Sequence, residues 1–197
     1  MNADDDMEIT LPILQTIEQQ SHMTQRGLAK RLGLALGLTN SYLKHCISKG
    51  LVKIEQIPAN RYLYYLTPKG FAEKSRLMAE HLSRSFRFYR RASDSCLKIF
   101  TECRLKNRRD VVLYGISDLA EIAVLQAARA AINVLGIFDP SSDRDTFLDY
   151  SVWRKLPNLP PESVYVITTL EAPLRAKQEL ACSVDADCIF VPDILAP

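Results

Sequence analysis

The sequence predicts two domains of different fold class that are joined by a long helix. The first domain is predicted to be α+β and mostly α, because apolar residues at helical spacing precede a single pair of strand-like stretches. The second is predicted to be α/β with a parallel sheet, because apolar strand-like stretches alternate with helix-like ones. Residues 69–105 contain no proline and one glycine, which favours a helix between the domains. The predicted ranges are 1–68, 69–109 and 110–197.

Charge is divided unevenly along the chain. Residues 1–109 carry 19 Lys and Arg against 10 Asp and Glu, whereas residues 110–197 carry 6 against 13. A positive first part beside a negative second part indicates that the first part binds a polyanion. An uneven distribution of charged residues on an ordinary protein surface would give the same numbers, and that alternative stays open.

Membrane, secreted and metal-binding classes are not expected. No apolar stretch approaches the ~20 residues of a membrane-spanning helix, and the acidic start MNADDDMEIT is not typical of a secretory signal. The five cysteines form no C-x-x-C pair, so we expect reduced thiols in a cytoplasmic protein. The three histidines have no carboxylate or cysteine at ligand spacing, so we expect no metal.

Three short helices are predicted in the first domain. The first carries apolar residues at helical spacing, namely Leu11, Leu14 and Ile17. The second has Thr24 as its N-cap and ends at Gly33. The third extends from about Ala35 to Lys49, and Gly50 follows as a stop signal. Its predicted buried face is Thr39, Leu43, Cys46 and Ile47. Two short helices joined by a glycine-containing turn form a helix-turn-helix.

A hairpin is predicted directly after these helices. The segments LVKIEQI and RYLYYL are strand-like and are separated by the turn-forming cluster Pro58-Ala59-Asn60. Thr67 and Pro68 then supply an N-cap and a first helical residue for the long helix. A hairpin in this position is the wing of a winged helix-turn-helix.

The outward face of the third helix is predicted to contact DNA. Asn and Ser pair with base edges in the major groove, and Lys reaches bases or phosphates. The predicted residues on this face are Asn40, Ser41, Lys44 and His45. Further contacts to phosphate or the minor groove are predicted for Arg26 and Lys30 of the second helix and for Lys49, Lys53 and Arg61 near the hairpin. The plainer interpretation is a set of solvated polar faces.

The segments LALGLTNSYLKHCISKGLVKIE and YLYYLTPKGFAEKSRL resemble the MarR-type winged helices, and among them the small regulators associated with exopolysaccharide loci. The resemblance covers roughly residues 11–90, and SKGLVKIE and LTPKG are its most distinctive pieces. It implies a transcriptional regulator that binds double-stranded DNA as a homodimer.

The long helix carries an apolar stripe near 4-3 spacing. Its members are Met78, Leu82, Tyr89, Cys96, Phe100 and Cys103. The stripe belongs to one helix, or to two broken near Ser93-Asp94-Ser95, and packs on a second subunit or on the second domain of its own chain. We expect the second subunit, because a palindromic operator requires two-fold symmetry. Cys96 and Cys103 are expected to be core residues rather than a redox pair.

The second domain begins with a strand, a tight turn and a helix in YGISDLAEIA. Strands are predicted at Val111–Gly115, Asn133–Phe138, ESVYVITT and DCIFVP, with a short one near Val152. Helices are predicted at 118–131 and 172–182. Gly115 permits the turn, Ser117 offers a hydroxyl to a ligand, and Asp118 is the predicted N-cap. Asp139 follows the second strand, where such folds bind a ribose hydroxyl.

The segments VVLYGISDLAEIA and GIFDP resemble the N-terminal Rossmann-like domain of PglD-type sugar acetyltransferases, which binds a nucleotide-linked sugar. The resemblance implies a C-terminal Rossmann-like domain whose ligand contacts are Gly115, Ser117 and Asp139. The catalytic β-helix of those enzymes has no counterpart here, so acetyl transfer is not expected. Rex repressors have a similar domain order, but their glycine fingerprint is missing.

Together these patterns predict a dimeric DNA-binding regulator whose second domain senses a nucleotide or nucleotide-sugar, or mediates assembly. Control of polysaccharide or sugar metabolism is the hypothesis that both resemblances suggest. No bound cofactor is expected, and no enzyme, because the second domain has no histidine and no visible nucleophile–base pair. The alternatives are a Rossmann-type enzyme, or an adaptor whose winged helix binds protein.

Overall fold

The computed structural model describes residues 3–20, 23–57 and 61–196. The chain forms two compact units, Met1–Ser85 and Phe86–Pro197. The division falls inside the long helix, so each unit takes part of that helix as one of its own elements.

The first unit contains three short helices, a hairpin and the first part of the long helix. Its elements are α1 (Ala3–Gln19), α2 (Gln25–Leu32), α3 (Leu36–Ser48), β1 (Val52–Ile57), β2 (Arg61–Leu66) and the start of α4 (Pro68–Leu105). The strands pair antiparallel, with Val52 opposite Leu66. Every element contributes to one core, in which Leu14, Leu28, Leu43, Tyr64 and Leu77 are buried. The predicted turn at 58–60 lies outside the described residues.

The ends of α2 and the buried face of α3 agree with the sequence prediction. The Thr24 hydroxyl accepts a hydrogen bond from the Gly27 amide at 3.0 Å, and Gly33 ends α2 with φ of +64°. Glycine suits that position because L-residues with a side chain rarely adopt positive φ. The predicted inner face of α3 is buried at Thr39, Leu43 and Cys46, and Ile47 is half-buried.

The end of α3 is joined to the start of α4 through Thr67. Its hydroxyl donates to the Gly50 carbonyl at 2.7 Å and accepts from the Gly70 amide at 3.0 Å, and its own amide donates to the Leu51 carbonyl at 3.0 Å. Gly70 has no space for a side chain, because a Cβ there would lie 2.0 Å from the Leu51 oxygen. Thr67 therefore caps α4, as predicted, and also fixes it against the residues that follow α3.

The long helix α4 is continuous, and the expectation that its whole stripe packs on a second subunit is wrong for the last part. Cys96, Phe100 and Cys103 are fully buried in the core of the second unit of the same chain. Leu82 and Tyr89, by contrast, are exposed by more than 40%. The spacing of a stripe shows that it is apolar but not what covers it, which is why the sequence left both partners open.

The second unit is a six-stranded mixed sheet with helices on its faces. Its strands are β3 (Asp110–Tyr114), β4 (Asn133–Phe138), β5 (Thr146–Phe147), β6 (Tyr150–Trp153), β7 (Val164–Ile167) and β8 (Ile189–Phe190), in the order β5-β6-β4-β3-β7-β8. Its helices are α5 (Asp118–Ala130) and α6 (Pro173–Ala181). The chain passes from β3 outward to β6 and then returns to β7 on the other side of β3.

The prediction of a purely parallel sheet is corrected at one edge. All pairs are parallel except β5 with β6, which are antiparallel. The connection consists of Leu148 and Asp149, both with positive φ, and so short a connection can join only antiparallel strands. One face of the sheet packs on α5 and the last part of α4, and the other packs on α6.

Candidate nucleic-acid interface and ligand cleft

Two of the four residues predicted on the outward face of α3 are exposed. Ser41 and Lys44 face solvent, whereas Asn40 and His45 are half-buried. The Oδ1 atom of Asn40 and the Nε2 atom of His45 are buried without a hydrogen-bond partner among the described residues. Both residues lie at the flanks of the face, near the core, which the helical spacing alone did not indicate.

The same face carries an apolar side chain that the sequence prediction missed. Leu38 is 41% exposed and lies three residues before Ser41, so the two are neighbours on the surface of α3. Gly37 lies four residues before Ser41 and has nothing within 4 Å of a Cβ built on it. Because residues three and four apart lie on the same side of a helix, the positions of Leu38 and Gly37 relative to Ser41 could have indicated from the sequence that both are on the outward face.

The partial positive charge at the N-terminal end of α3 is not offset by an acidic residue in the first turn. Its first turn contains no acidic residue, and Ala35 at the N-cap makes no side-chain capping bond. The positive end of the helix dipole is therefore free of a local carboxylate that would repel phosphate.

Exposed basic side chains occur on the elements next to α3. Arg26 and Lys30 on α2, Lys49 at the C-cap of α3 and Lys53 on β1 are all exposed. Arg61 is the first residue of β2, and its side chain lies outside the described part of the chain. The predicted basic residues with described side chains are thus all accessible from solvent, as phosphate contacts require.

A cleft opens at the carboxyl ends of β3, β4 and β7 in the second unit. Its volume is about 250 Å³, and Gly115 and Asp139 are in its wall. The other lining residues are Tyr114, Pro140, Ser141, Thr169, Glu171, Ala172, Arg175, Ala176 and Glu179. Gly115 has φ of +97°, and a Cβ there would lie 2.6 Å from Cβ of Thr169. A glycine is therefore required for this turn to pack against the end of β7.

The Asp139 carboxylate holds the turn after β3. Its Oδ2 accepts from the Ile116 amide at 2.9 Å, and its Oδ1 accepts from the amide and the hydroxyl of Ser141 at 3.0 and 2.8 Å. Phosphate loops direct such turn amides at the ligand. Here the Ile116 amide instead donates to the Asp139 carboxylate, so it is not available to a phosphate.

The expectations for Ser117 and Asp118 are corrected. Ser117, not Asp118, is the N-cap of α5, because its hydroxyl accepts from the Ala120 amide at 3.2 Å. The same hydroxyl donates to the Thr168 carbonyl at 2.6 Å, and Ser117 does not line the cleft. The partner at Thr168 is far away in sequence, so no local pattern reveals it.

The cleft is negatively charged overall. Its ionisable lining consists of Asp139, Glu171 and Glu179 against the single cation Arg175, whose Nε lies 2.8 Å from Glu179. The Tyr114 hydroxyl lies 3.4 Å from the Glu179 carboxylate. Burial, followed by Glu179, raises the pKa of Tyr114, so its hydroxyl stays protonated and can donate. This lining favours hydroxyl and amine groups over phosphates.

Cys96 and Cys103 are buried thiols with raised pKa values, as expected for core residues. Burial raises the pKa of Cys96 to about 12 and that of Cys103 to about 11, so both remain protonated near neutral pH.

Among the described residues, no three His, Cys, Asp or Glu side chains are grouped as metal ligands would be. Within the same residues, no helix has the length and apolar character to span a membrane.

The fold and the exposed face of the first unit define a winged helix-turn-helix of the DNA-binding class. A protein-family model described as winged helix-turn-helix DNA-binding matches residues 8–53. These residues extend from α1 to the start of β1 and include α3 with Leu38, Ser41 and Lys44.

One solved structure similar to this chain is MepR, a transcription regulator of the Staphylococcus aureus multidrug efflux pump MepA. The two are 20% identical with a TM-score of 0.35. The similarity covers 42% of this chain and 62% of the MepR chain, so this chain spans less than two thirds of that relative. No curated protein matches.

Proposed function

We propose that the protein is a transcriptional regulator of the MarR-like type that binds double-stranded DNA through α3 and its hairpin. The observation that carries this proposal is the face of α3, where Ser41 and Lys44 are exposed within a winged helix-turn-helix. Four exposed cations on α2, at the end of α3 and on β1 supply the phosphate contacts. Such a regulator acts on chromosomal DNA, so we place it in the cytoplasm.

Fluorescence anisotropy with labelled duplex DNA tests the proposal. Wild type should bind with an affinity that falls steeply as salt rises. Lys44→Gln should weaken binding to all sequences and reduce the salt slope by about 1. Lys177→Gln, an exposed lysine on α6, is the matched control and should bind as wild type. Binding without salt dependence would instead favour the adaptor.

We propose further that the protein is a homodimer and that α4 provides part of the contact. Phe86 and Tyr89 lie three residues apart on one side of α4 and are 58% and 43% exposed. Exposed aromatic side chains grouped in this way are typical of interaction surfaces. Sedimentation equilibrium should give a dimer for wild type and a monomer for a Phe86→Ser, Tyr89→Ser double variant. Leu125→Ser, at an exposed leucine of α5, should remain dimeric.

The second unit is proposed to be a Rossmann-like sensor without catalytic activity. Its parallel strands and the return of the chain from β6 to β7 support this assignment, because ligands of such sheets bind where the strand order reverses. The cleft with Gly115 and Asp139 is at that position. The occupied Ile116 amide and the acidic lining favour a ligand held by its hydroxyl groups, such as the sugar part of a nucleotide-sugar.

Thermal unfolding with a panel of nucleotides, nucleotide-sugars and free sugars tests the sensor. A ligand of the cleft should raise the unfolding temperature of wild type and not that of Glu171→Lys, which reverses a charge in the wall. The same ligand should change DNA affinity, because an effector must bind two states unequally. Turnover of any of these compounds would favour the enzyme alternative.

A further inference from the structure

The outward face of α3 is not uniformly polar. Leu38 is 41% exposed and lies beside Ser41, on the face that also presents Lys44. No residue from Leu32 to Leu43 is charged. A leucine in this place contributes little to the core, which α3 reaches through Thr39, Tyr42, Leu43 and Cys46.

Base pairs differ in the major groove by one apolar feature, the 5-methyl group of thymine, which apolar side chains contact. The N-terminal residues of a recognition helix are those that contact base edges. Leu38 is in the first turn of α3, and Gly37 next to it leaves the surface flat because it has no side chain. The absence of an acidic residue in that turn removes the repulsion that would keep phosphates away.

On this basis, and resting on the proposed DNA-binding function, we infer that Leu38 reads a thymine by packing against its 5-methyl group in the major groove. Ser41 contacts the neighbouring base or phosphate, and Gly37 allows the backbone of α3 to approach the groove. Leu38 is thus a specificity-determining residue, while Lys44 contributes affinity that does not depend on sequence.

The experiment begins with selection of bound duplexes from a random library by the full-length protein. Each thymine of the selected site is then replaced by uracil, which removes only the methyl group. At one position per half-site, uracil should weaken wild-type binding about fourfold, the value expected for loss of one buried methyl.

Leu38→Ala should bind the thymine and uracil sites equally well. Leu125→Ala is the matched control, because Leu125 is an equally large apolar side chain that is 55% exposed on α5 of the second unit. Leu125→Ala should keep the wild-type preference for thymine. Both side chains are exposed, so unfolding curves like that of wild type should show that the variants are folded.

Four results would overturn the inference. Tolerance of uracil at every position excludes a methyl contact, and an unchanged thymine preference in Leu38→Ala assigns the contact to another residue. Binding to DNA without enrichment of any sequence removes the inference but leaves DNA binding intact. Failure to bind any duplex removes the proposed function together with it.

Discussion

The Asp139 carboxylate accepts a hydrogen bond from the Ile116 amide, with 2.9 Å between Oδ2 and the nitrogen. This bond joins the end of β4 to the turn that follows β3. The same carboxylate binds the amide and hydroxyl of Ser141. An aspartate at this position is therefore part of the structure of the cleft, in addition to any contact with a ligand.

Replacement of Asp139 by Ala should destabilise the second unit. Three hydrogen bonds to a charged acceptor are lost, and each such bond contributes about 1.5–3 kcal/mol at most. Because the site is partly solvated, we expect a total loss of about 2 kcal/mol. Urea unfolding followed by the fluorescence of Trp153, the only tryptophan of the chain, measures it. Asp143→Ala in the same exposed loop should change little, and equal stabilities of the two variants would contradict the assignment.

Replacement of Gly115 by Ala should be costly for a different reason. The backbone has φ of +97°, and the added Cβ would lie 2.6 Å from Thr169. Strain and overlap together should lower the free energy of unfolding by about 1–3 kcal/mol, as reported by Trp153. Gly37→Ala is the control: it is helical and open, so it should be neutral or stabilise by up to about 1 kcal/mol.

The reactivity of the thiols should follow their burial. Cys182 is exposed, whereas the other four cysteines are buried. Native protein at pH 8 should therefore react quickly with an aromatic disulfide reagent at one thiol of the five present in the sequence, and unfolded protein at all five. Cys182→Ser should abolish the fast reaction. Rapid modification of Cys96 or Cys103 in folded protein would contradict the structure.

The same burial predicts a loss of stability at high pH. The pKa of Cys96 is about 12 in the folded chain against an ordinary value of 9.0. Below pH 9 the thiol is protonated in both the folded and the unfolded state, so its full contribution to the free energy of unfolding is present. Above pH 9 the unfolded state releases the proton first, so stability falls as pH rises towards 12. Cys96→Ala should show a shallower fall in unfolding free energy over this interval.

Replacement of Thr67 by Val should weaken the first unit. The isosteric change removes the cap on the Gly70 amide and the bond to the Gly50 carbonyl, so we expect a loss of about 1–2 kcal/mol. The helical circular dichroism signal during urea unfolding measures the effect. Thr101→Val, in the second-unit part of α4, is the matched control and should be close to wild type.

Elements that depend on local patterns were predictable from the sequence. The caps Thr24 and Thr67, the stop at Gly33 and the buried face of α3 follow from residue type and spacing alone. The β5–β6 hairpin was only partly predicted. Its turn residues Leu148 and Asp149 both have positive φ, and turns of this kind usually have glycine or asparagine at such positions. The strand near Val152 was predicted, and its antiparallel partner was not.

The candidate site was less predictable, because its residues are defined by distant partners. Ser117 is bound to a carbonyl on the neighbouring strand end, and Asp139 is bound to an amide 23 residues earlier. Leu38 was missed because an apolar residue in an amphipathic helix is assigned to the core by default. Its spacing of three residues from Ser41 places it on the outward face, and the structure shows that it is exposed there.

The bonds from Thr67 to Gly50 and Leu51 connect the end of α3 mechanically to the start of α4. The backbone of Gly70 also lies close against the Leu51 carbonyl, so the residues that follow α3 pack directly on the first turn of α4. If α3 binds DNA as proposed, a tilt of the beginning of α4 would be passed through these contacts to α3 and would change the orientation of Leu38 and Ser41.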